Sequence, residues 1–134
     1  NKNVNSRSTA RVGSRRKSIM EKIEIKKIDD VLVVSQYVKR FYREVKKELK
    51  LSYEEVIILN YLYNADSNEV SAREISRASG LEPYFLTKAM QRLREKGYIS
   101  KKRNTVDERT VIIEVDEAQR LKVNEMIDRV NQFI

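Results

Sequence analysis

The chain has 134 residues and contains neither cysteine nor histidine. These absences exclude disulfides, thiol redox sensing, Cys/His zinc sites and the usual imidazole general base. Only three glycines are present, which leaves no glycine-rich loop to cradle a phosphate. Carboxylate or Ser/Lys catalysis stays open in principle, but no nucleophile motif stands out. No catalytic residues, cofactor or metal are therefore expected. No apolar run approaches the roughly 18 residues needed to cross a bilayer, and nothing reads as a secretory signal. The default expectation is a cytoplasmic protein with no membrane partner. With 36% charged and 40% hydrophobic residues, the composition is that of a soluble chain, long enough for one real core and short for two.

The formal charge of +8 is unevenly spread. Residues 1–27 hold nine basic and two acidic groups, and residues 28–82 hold eight and ten. Residues 83–103 hold seven basic groups against Glu95 alone, and residues 104–134 hold four against seven. Between the termini the body is nearly neutral, so an anionic partner has to be sought at 83–103. Residues 1–19 are rich in Arg, Ser and Asn, carry no acid and hold almost nothing that could pack. Such a stretch cannot offset the entropy of ordering. It reads as a disordered basic extension that could lie along DNA, or as an expression leader with Met20 a natural start. The single domain is expected over 20–134.

From about Lys27 to Leu49, apolar residues step at three and four: Ile28, Val31, Leu32, Val38, Val45 and Leu49. Val33, Val34 and Tyr37 widen the stripe beyond one contact face. Two readings stand, a helix shared between two copies of the chain and a helix that covers the monomer core. Ser52-Tyr53-Glu54-Glu55 is a capping box that opens a second helix, apolar almost all round and ending near Ala65. Ser71-Ala72-Arg73-Glu74 opens a short third helix in the same way, with Ile75 and Ala78 inward and Ser79-Gly80 closing it. A last helix starts at Asp116–Gln119. Its face of Leu121, Met126 or Ile127, Val130 and Phe133 or Ile134 has no later element to bury against, which suggests pairing across a two-fold axis.

The stretch from Pro83 to Arg109 organises the rest. Pro83 suits a first helical position and Gly97 the residue just past the end. Between them Leu86, Ala89, Met90 and Leu93 form an apolar stripe, while Tyr84, Thr87, Lys88, Gln91 and Glu95 fall opposite. After Gly97 the period changes. Tyr98–Lys102 and Arg109–Val115 are strand-like, joined by polar residues, and Glu69-Val70 could add a third strand. A short capped helix, a Gly turn, an amphipathic helix and then a basic hairpin make a winged helix-turn-helix. The expected fold is mainly α (α+β), with the helix-turn-helix at about 71–96, the wing at about 98–115, and dimerisation helices at both ends. Ile75, Ala78, Leu81, Leu86 and Leu93 are its expected shared core.

Positive charge at such a helix and hairpin is placed where DNA phosphates would lie. Tyr84, Thr87, Lys88 and Gln91 could bond bases or phosphates, Gln91 suiting an adenine edge and Lys88 and Arg92 suiting phosphates. The alternative for this face is ordinary solvation, and for Tyr84 a packing role at the helix start. Arg103 and Arg109 suit a narrow A·T-rich minor groove. Arg109 could equally bridge to Asp107 or Glu108.

The body from Met20 onward resembles the staphylococcal accessory regulators, the SarA-type branch of the MarR winged-helix group. The resemblance rests on YEEVIILNYL at 53–62, PYFLTKAMQRL at 83–93 and KKRNTVDERTVII at 101–113. It implies a homodimeric, nucleoid-associated regulator that binds A·T-rich double-stranded promoter DNA and activates or represses virulence and accessory genes. By position it implies DNA contacts at Lys101, Lys102, Arg103 and Arg109 and on the exposed face of 83–96, with Asp107 orienting or neutralising a wing arginine. Some such regulators sense oxidants through a cysteine, and this chain has none. A cleft for a small-molecule effector is known in MarR-like proteins, but no residue here argues for one. Two other classes stay open: an architectural DNA binder of low specificity, and a protein-interaction module acting on another regulator.

Overall fold

The computed structural model describes residues 24–103 and 111–134. They fall into two units, one ending at Lys39 and the other running from Arg40 to Ile134. Helix α1 (Ile28–Leu49) passes through both. Asp29 and Asp30 sit in its first turn and Lys46 and Lys47 in its last, complementing the helix dipole. Asp30 Oδ2 accepts the N–H groups of Lys26 and Lys27 at 3.0 and 3.2 Å. In the first unit Ile28, Val31, Leu32 and Val38 are exposed. In the second, Val45 is fully buried and Phe41 and Tyr42 pack against the core. Tyr42 meets Tyr53 edge-on at 4.9 Å.

Helix α2 (Tyr53–Asn64) has the full capping box: Ser52 Oγ accepts Glu55 N–H, and Glu55 Oε1 accepts Ser52 N–H, both at 3.2 Å. Val56, Ile58, Leu59 and Leu62 are buried, so it is the central helix of the second unit. Strand β1 (Glu69–Ser71) follows the turn, then helix α3 (Ala72–Ser79). Ser71 Oγ caps Glu74 N–H, but the Glu74 carboxylate takes the Ser71 and Tyr61 hydroxyls instead of returning to the cap backbone. Ile75 is buried as expected and Leu81 packs on the core. Ala78, expected inward, is exposed. Helix α3 ends one residue later, so no further turn continues the face on which it lies.

Helix α4 (Pro83–Glu95) buries Leu86, Ala89, Met90 and Leu93. Its end is a Schellman motif: Tyr98 N–H donates to Leu93 O and Gly97 N–H to Arg94 O, both at 3.0 Å, with Gly97 at φ +83°. Because Tyr98 and Ile99 complete this cap and enter the core, strand β2 begins at Ser100 rather than Tyr98 and runs to Arg103. Strand β3 (Val111–Glu114) pairs antiparallel with both others, giving the order β1-β3-β2. Val70 and Ser71 lie opposite Ile113 and Ile112, and Lys101 and Lys102 lie opposite the same two residues from the other side.

Helix α5 (Glu117–Asn131) opens with a complete Asp116/Gln119 capping box. Its apolar face is largely the expected one: Ile127 and Val130 are buried and pack it on α2, but Val123 is buried with them in place of Leu121, which is 60% exposed. That face therefore has a partner within its own chain, while Leu121 and Ile134 at the helix's outer side and end stay exposed. Arg120 binds this helix to the end of α2. Its guanidinium donates to the Leu62 and Ser67 carbonyls and to Asn68 Oδ1. The desolvation this entails lowers its pKa from the ordinary arginine value.

Candidate nucleic-acid interface

The turn between α3 and α4 is built from local hydrogen bonds. Gly80, at φ +74°, donates its N–H to Ser76 O at 2.9 Å. Ser76 Oγ donates to Leu81 O at 2.9 Å, and Ser79 Oγ donates to Ile75 O and accepts Leu81 N–H. These bonds and the shared core set α4 beside α3 with its polar face outward. Tyr84, Thr87, Lys88, Gln91 and Arg92 are all exposed, as their spacing predicts.

Their contacts divide them. Tyr84 stacks edge-to-face on Phe85 at 5.3 Å, and Lys88 Nζ lies 4.6 Å from the centre of the Tyr84 ring. Gln91 Nε2 donates to Glu95 Oε1 at 3.4 Å. Arg92 Nε stands 3.5 Å from Glu55 Oε1, a structural contact absent from the sequence reading. Lys96 Nζ reaches the other oxygen of Glu55 at 2.6 Å and also donates to Lys50 O at 2.7 Å. Glu55 is only 2% exposed, so two cations of α4 converge on one buried carboxylate of α2. The C-terminal end of α4 is thereby tied to the central helix. Lys122 adds a further tie: its ammonium donates to Lys96 O and lies 4.5 Å from the Tyr98 ring centre.

The wing is only partly within the described residues. Lys101 and Lys102 are both exposed in β2. Strand alternation turns them to opposite faces of the sheet. Lys102 Nζ donates to Glu69 Oε1 at 2.7 Å, diagonally across β3. This hydrogen bond, with the carboxylate's charge, raises the Lys102 pKa above the ordinary lysine value. Both partners are half exposed, so solvent screens the pair and it holds Lys102 only loosely. Exchange of Glu69 for a phosphate is therefore cheap. Arg103 occupies the last position of β2, opposite Val111. Asp107 and Arg109 lie outside the described residues.

Three further exposed side chains on α3 and α4 escaped the sequence reading. Arg73 and Arg77 are exposed on α3, the helix that crosses the backbone in helix-turn-helix complexes, and Phe85 is exposed on the first turn of α4. Their signal was their position in the motif: basic residues on the leading helix and a non-core aromatic beside Tyr84. Among the described residues no cluster of acidic side chains could hold a metal ion, and no helix is long and apolar enough to cross a membrane.

The profile of the family described as transcriptional regulator SarA/Rot matches residues 40–126. The chain is 40% identical over 111 residues to the HTH-type transcriptional regulator SarR of Staphylococcus aureus strain USA300, covering 83% of this chain and 96% of that protein. It is 34% identical over 113 residues to transcriptional regulator SarA of S. aureus strain Newman, covering 82% and 91%. Among solved structures, overoxidized AbfR bound to DNA superposes with a TM-score of 0.65 at 18% identity, over 91% of this chain and 85% of that one. MarR superposes with a TM-score of 0.64 at 17% identity, over 75% and 73%.

Proposed function

Because the chain belongs to the SarA/Rot family and is a DNA-binding transcriptional regulator, we propose that it acts as a cytoplasmic, nucleoid-associated homodimer on A·T-rich promoter DNA of virulence and accessory genes. Helix α4 enters the major groove and the β2–β3 wing follows the adjacent minor groove. The observation that carries this reading is the outer face of α4. Tyr84, Thr87, Lys88 and Gln91 are solvent-facing, and the basic strand β2 begins three residues after Gly97.

In this reading Gln91 gives up its weak contact with Glu95 to bond a base edge, and Lys88 and Arg92 meet phosphates. Arg92 does so while one nitrogen stays near Glu55. Lys101 and Lys102, on opposite faces of the wing, meet phosphates of the two backbones that border the minor groove. Arg103 and Arg109 enter the groove, where narrow A·T tracts attract arginine, and Asp107 aims them. Arg73 and Arg77 add phosphate contacts from α3.

The dimer forms through the first half of α1. Ile28, Val31, Leu32 and Val38 are exposed there, on a helix whose other end is buried at Val45. An apolar stripe of this length on an otherwise charged helix marks an interface, and two identical helices bury it reciprocally.

The test is a competition titration of an A·T-rich promoter duplex against a G·C-rich duplex of equal length, at two salt concentrations, with sedimentation equilibrium on the same protein. Expected are a preference of about tenfold or more and a log–log salt slope of about −0.9 per phosphate neutralised. A dimer that Val31→Asp with Leu32→Asp converts to monomer is also expected. Equal binding to both duplexes would replace this reading with architectural binding. No binding would point to a protein partner.

A further inference from the structure

The first turn of α4 carries two aromatic rings that the core does not use. Tyr84 is 61% exposed and Phe85 is 47% exposed. They meet edge-to-face with an interplanar angle of 82°. Phe85 has no polar atom to offer a solvated or phosphate-facing site, and burying its exposed surface is favourable wherever a complementary apolar group is presented. The flank it shares carries Lys88 and Arg92 against one acid, Glu82 at the N-cap, and the first turn itself holds none. The patch is thus apolar at its centre and cationic at its edge, which suits a polyanion that offers a small apolar group between its phosphates. In the major groove that group is the thymine C5-methyl, the one apolar feature of the base edges and one absent from G·C pairs. Recognition helices of this class place their N-terminal residues nearest the bases.

We propose that the Tyr84–Phe85 pair determines base preference by receiving a thymine C5-methyl in the major groove. The proposal rests on the DNA-binding reading above and deepens it. Preference for A·T-rich sites then comes from direct contact by α4 as well as from minor-groove shape. Phe85 supplies the apolar surface. Tyr84, braced by the Lys88 ammonium 4.6 Å from its ring centre, holds the Phe85 ring upright against the helix.

The experiment replaces thymine by uracil in the same A·T-rich duplex, which deletes the methyl group and leaves base pairing and the minor-groove edges unchanged. The full chain is titrated with both duplexes, alongside Phe85→Ala and Phe85→Leu, each checked for folding by circular dichroism. The parent should bind the uracil duplex at least about fourfold more weakly, the equivalent of ~0.8 kcal/mol for one buried methyl at 1.4 kcal/mol per tenfold. Phe85→Ala should bind both duplexes alike, and Phe85→Leu should retain part of the difference. A parent that binds both duplexes equally overturns the proposal while leaving the DNA-binding reading intact. A Phe85→Ala variant that discriminates as strongly as the parent overturns the assignment to this pair. A parent that binds neither duplex overturns both readings together.

Discussion

Glu55 offers the sharpest test of how α4 is held. Its side chain is 3% exposed and lies 2.6 Å from Lys96 Nζ and 3.5 Å from Arg92 Nε, whose side chains are 34% and 46% exposed. The asymmetry in burial decides which substitution costs more. In Glu55→Gln the two cations can turn toward water, and the amide oxygen can still accept Ser52 N–H. The loss is that of a hydrogen bond to a charged group, about 1.5 kcal/mol, the low end for such bonds because both cations are partly exposed. In Lys96→Met the carboxylate stays buried with its better partner gone. Breaking a buried pair in this way costs about 3–5 kcal/mol, reduced here to about 2–3 kcal/mol because Arg92 and the Ser52 N–H remain. Adding Glu55→Gln to Lys96→Met removes the stranded charge and should recover about 1 kcal/mol. A second substitution that stabilises the first is a signature that simple loss of packing does not produce. Urea denaturation followed by circular dichroism, at one protein concentration throughout, reads these differences as midpoint shifts. DNA affinity measured on the folded variants should fall with Lys96→Met, since the C-terminal end of α4 is no longer tied to α2. The reasoning is refuted if Lys96→Met unfolds within about 0.5 kcal/mol of the parent, or if the double variant is less stable than Lys96→Met alone.

Two further predictions concern the frame around this site. Gly97→Ala forces a side chain into φ +83° with its Cβ 3.2 Å from Lys122 Nζ, whereas Gly80→Ala at φ +74° meets open space. Both should lose about 1–2 kcal/mol from the left-handed backbone, with Gly97→Ala the worse because it also crowds the Lys122 ammonium. A drop in melting temperature of about 4 °C or more is expected, and an unchanged melt for Gly97→Ala would contradict the assigned cap. Burial is the main cause that raises the pKa of Tyr42 and of Tyr98 above the ordinary value of 10.0, with Tyr53 adding to the first, and Arg129 opposing and Glu55 reinforcing the second. The folded protein then holds these phenolic protons more tightly than the unfolded chain. Their stabilising contribution is complete below that ordinary value and is lost as pH rises through the higher folded values. Urea midpoints measured from neutral to alkaline pH should fall in that window, and Tyr98→Phe should lessen the fall. A midpoint that rises there would reverse the sign of the argument.

The calculation for Glu55 also shows where sequence reasoning stops. Its role in the capping box is visible at a spacing of three residues, and its position in line with Ile58, Leu59 and Leu62 marks a buried face. That the partners would be Arg92 and Lys96 is not visible, since Lys96 lies 41 residues away. The same division holds for α5, where the Asp116 box was legible but the choice of Val123 over Leu121 for burial was not.

By itself, the sequence determined the helices, their caps at Ser52, Ser71, Gly80, Gly97 and Asp116, the strand-forming stretches and the cationic segment 83–103. These rest on interactions between residues three to five positions apart, or on charge that can be counted. Tertiary structure alone decided that α5 covers α2, that Arg120 closes the end of α2, that Arg92 and Lys96 converge on Glu55, and that Phe85 is left in solvent and not in the core. Those outcomes depend on the angle and register at which elements cross, and these are set by the joint packing of side chains distant in the chain.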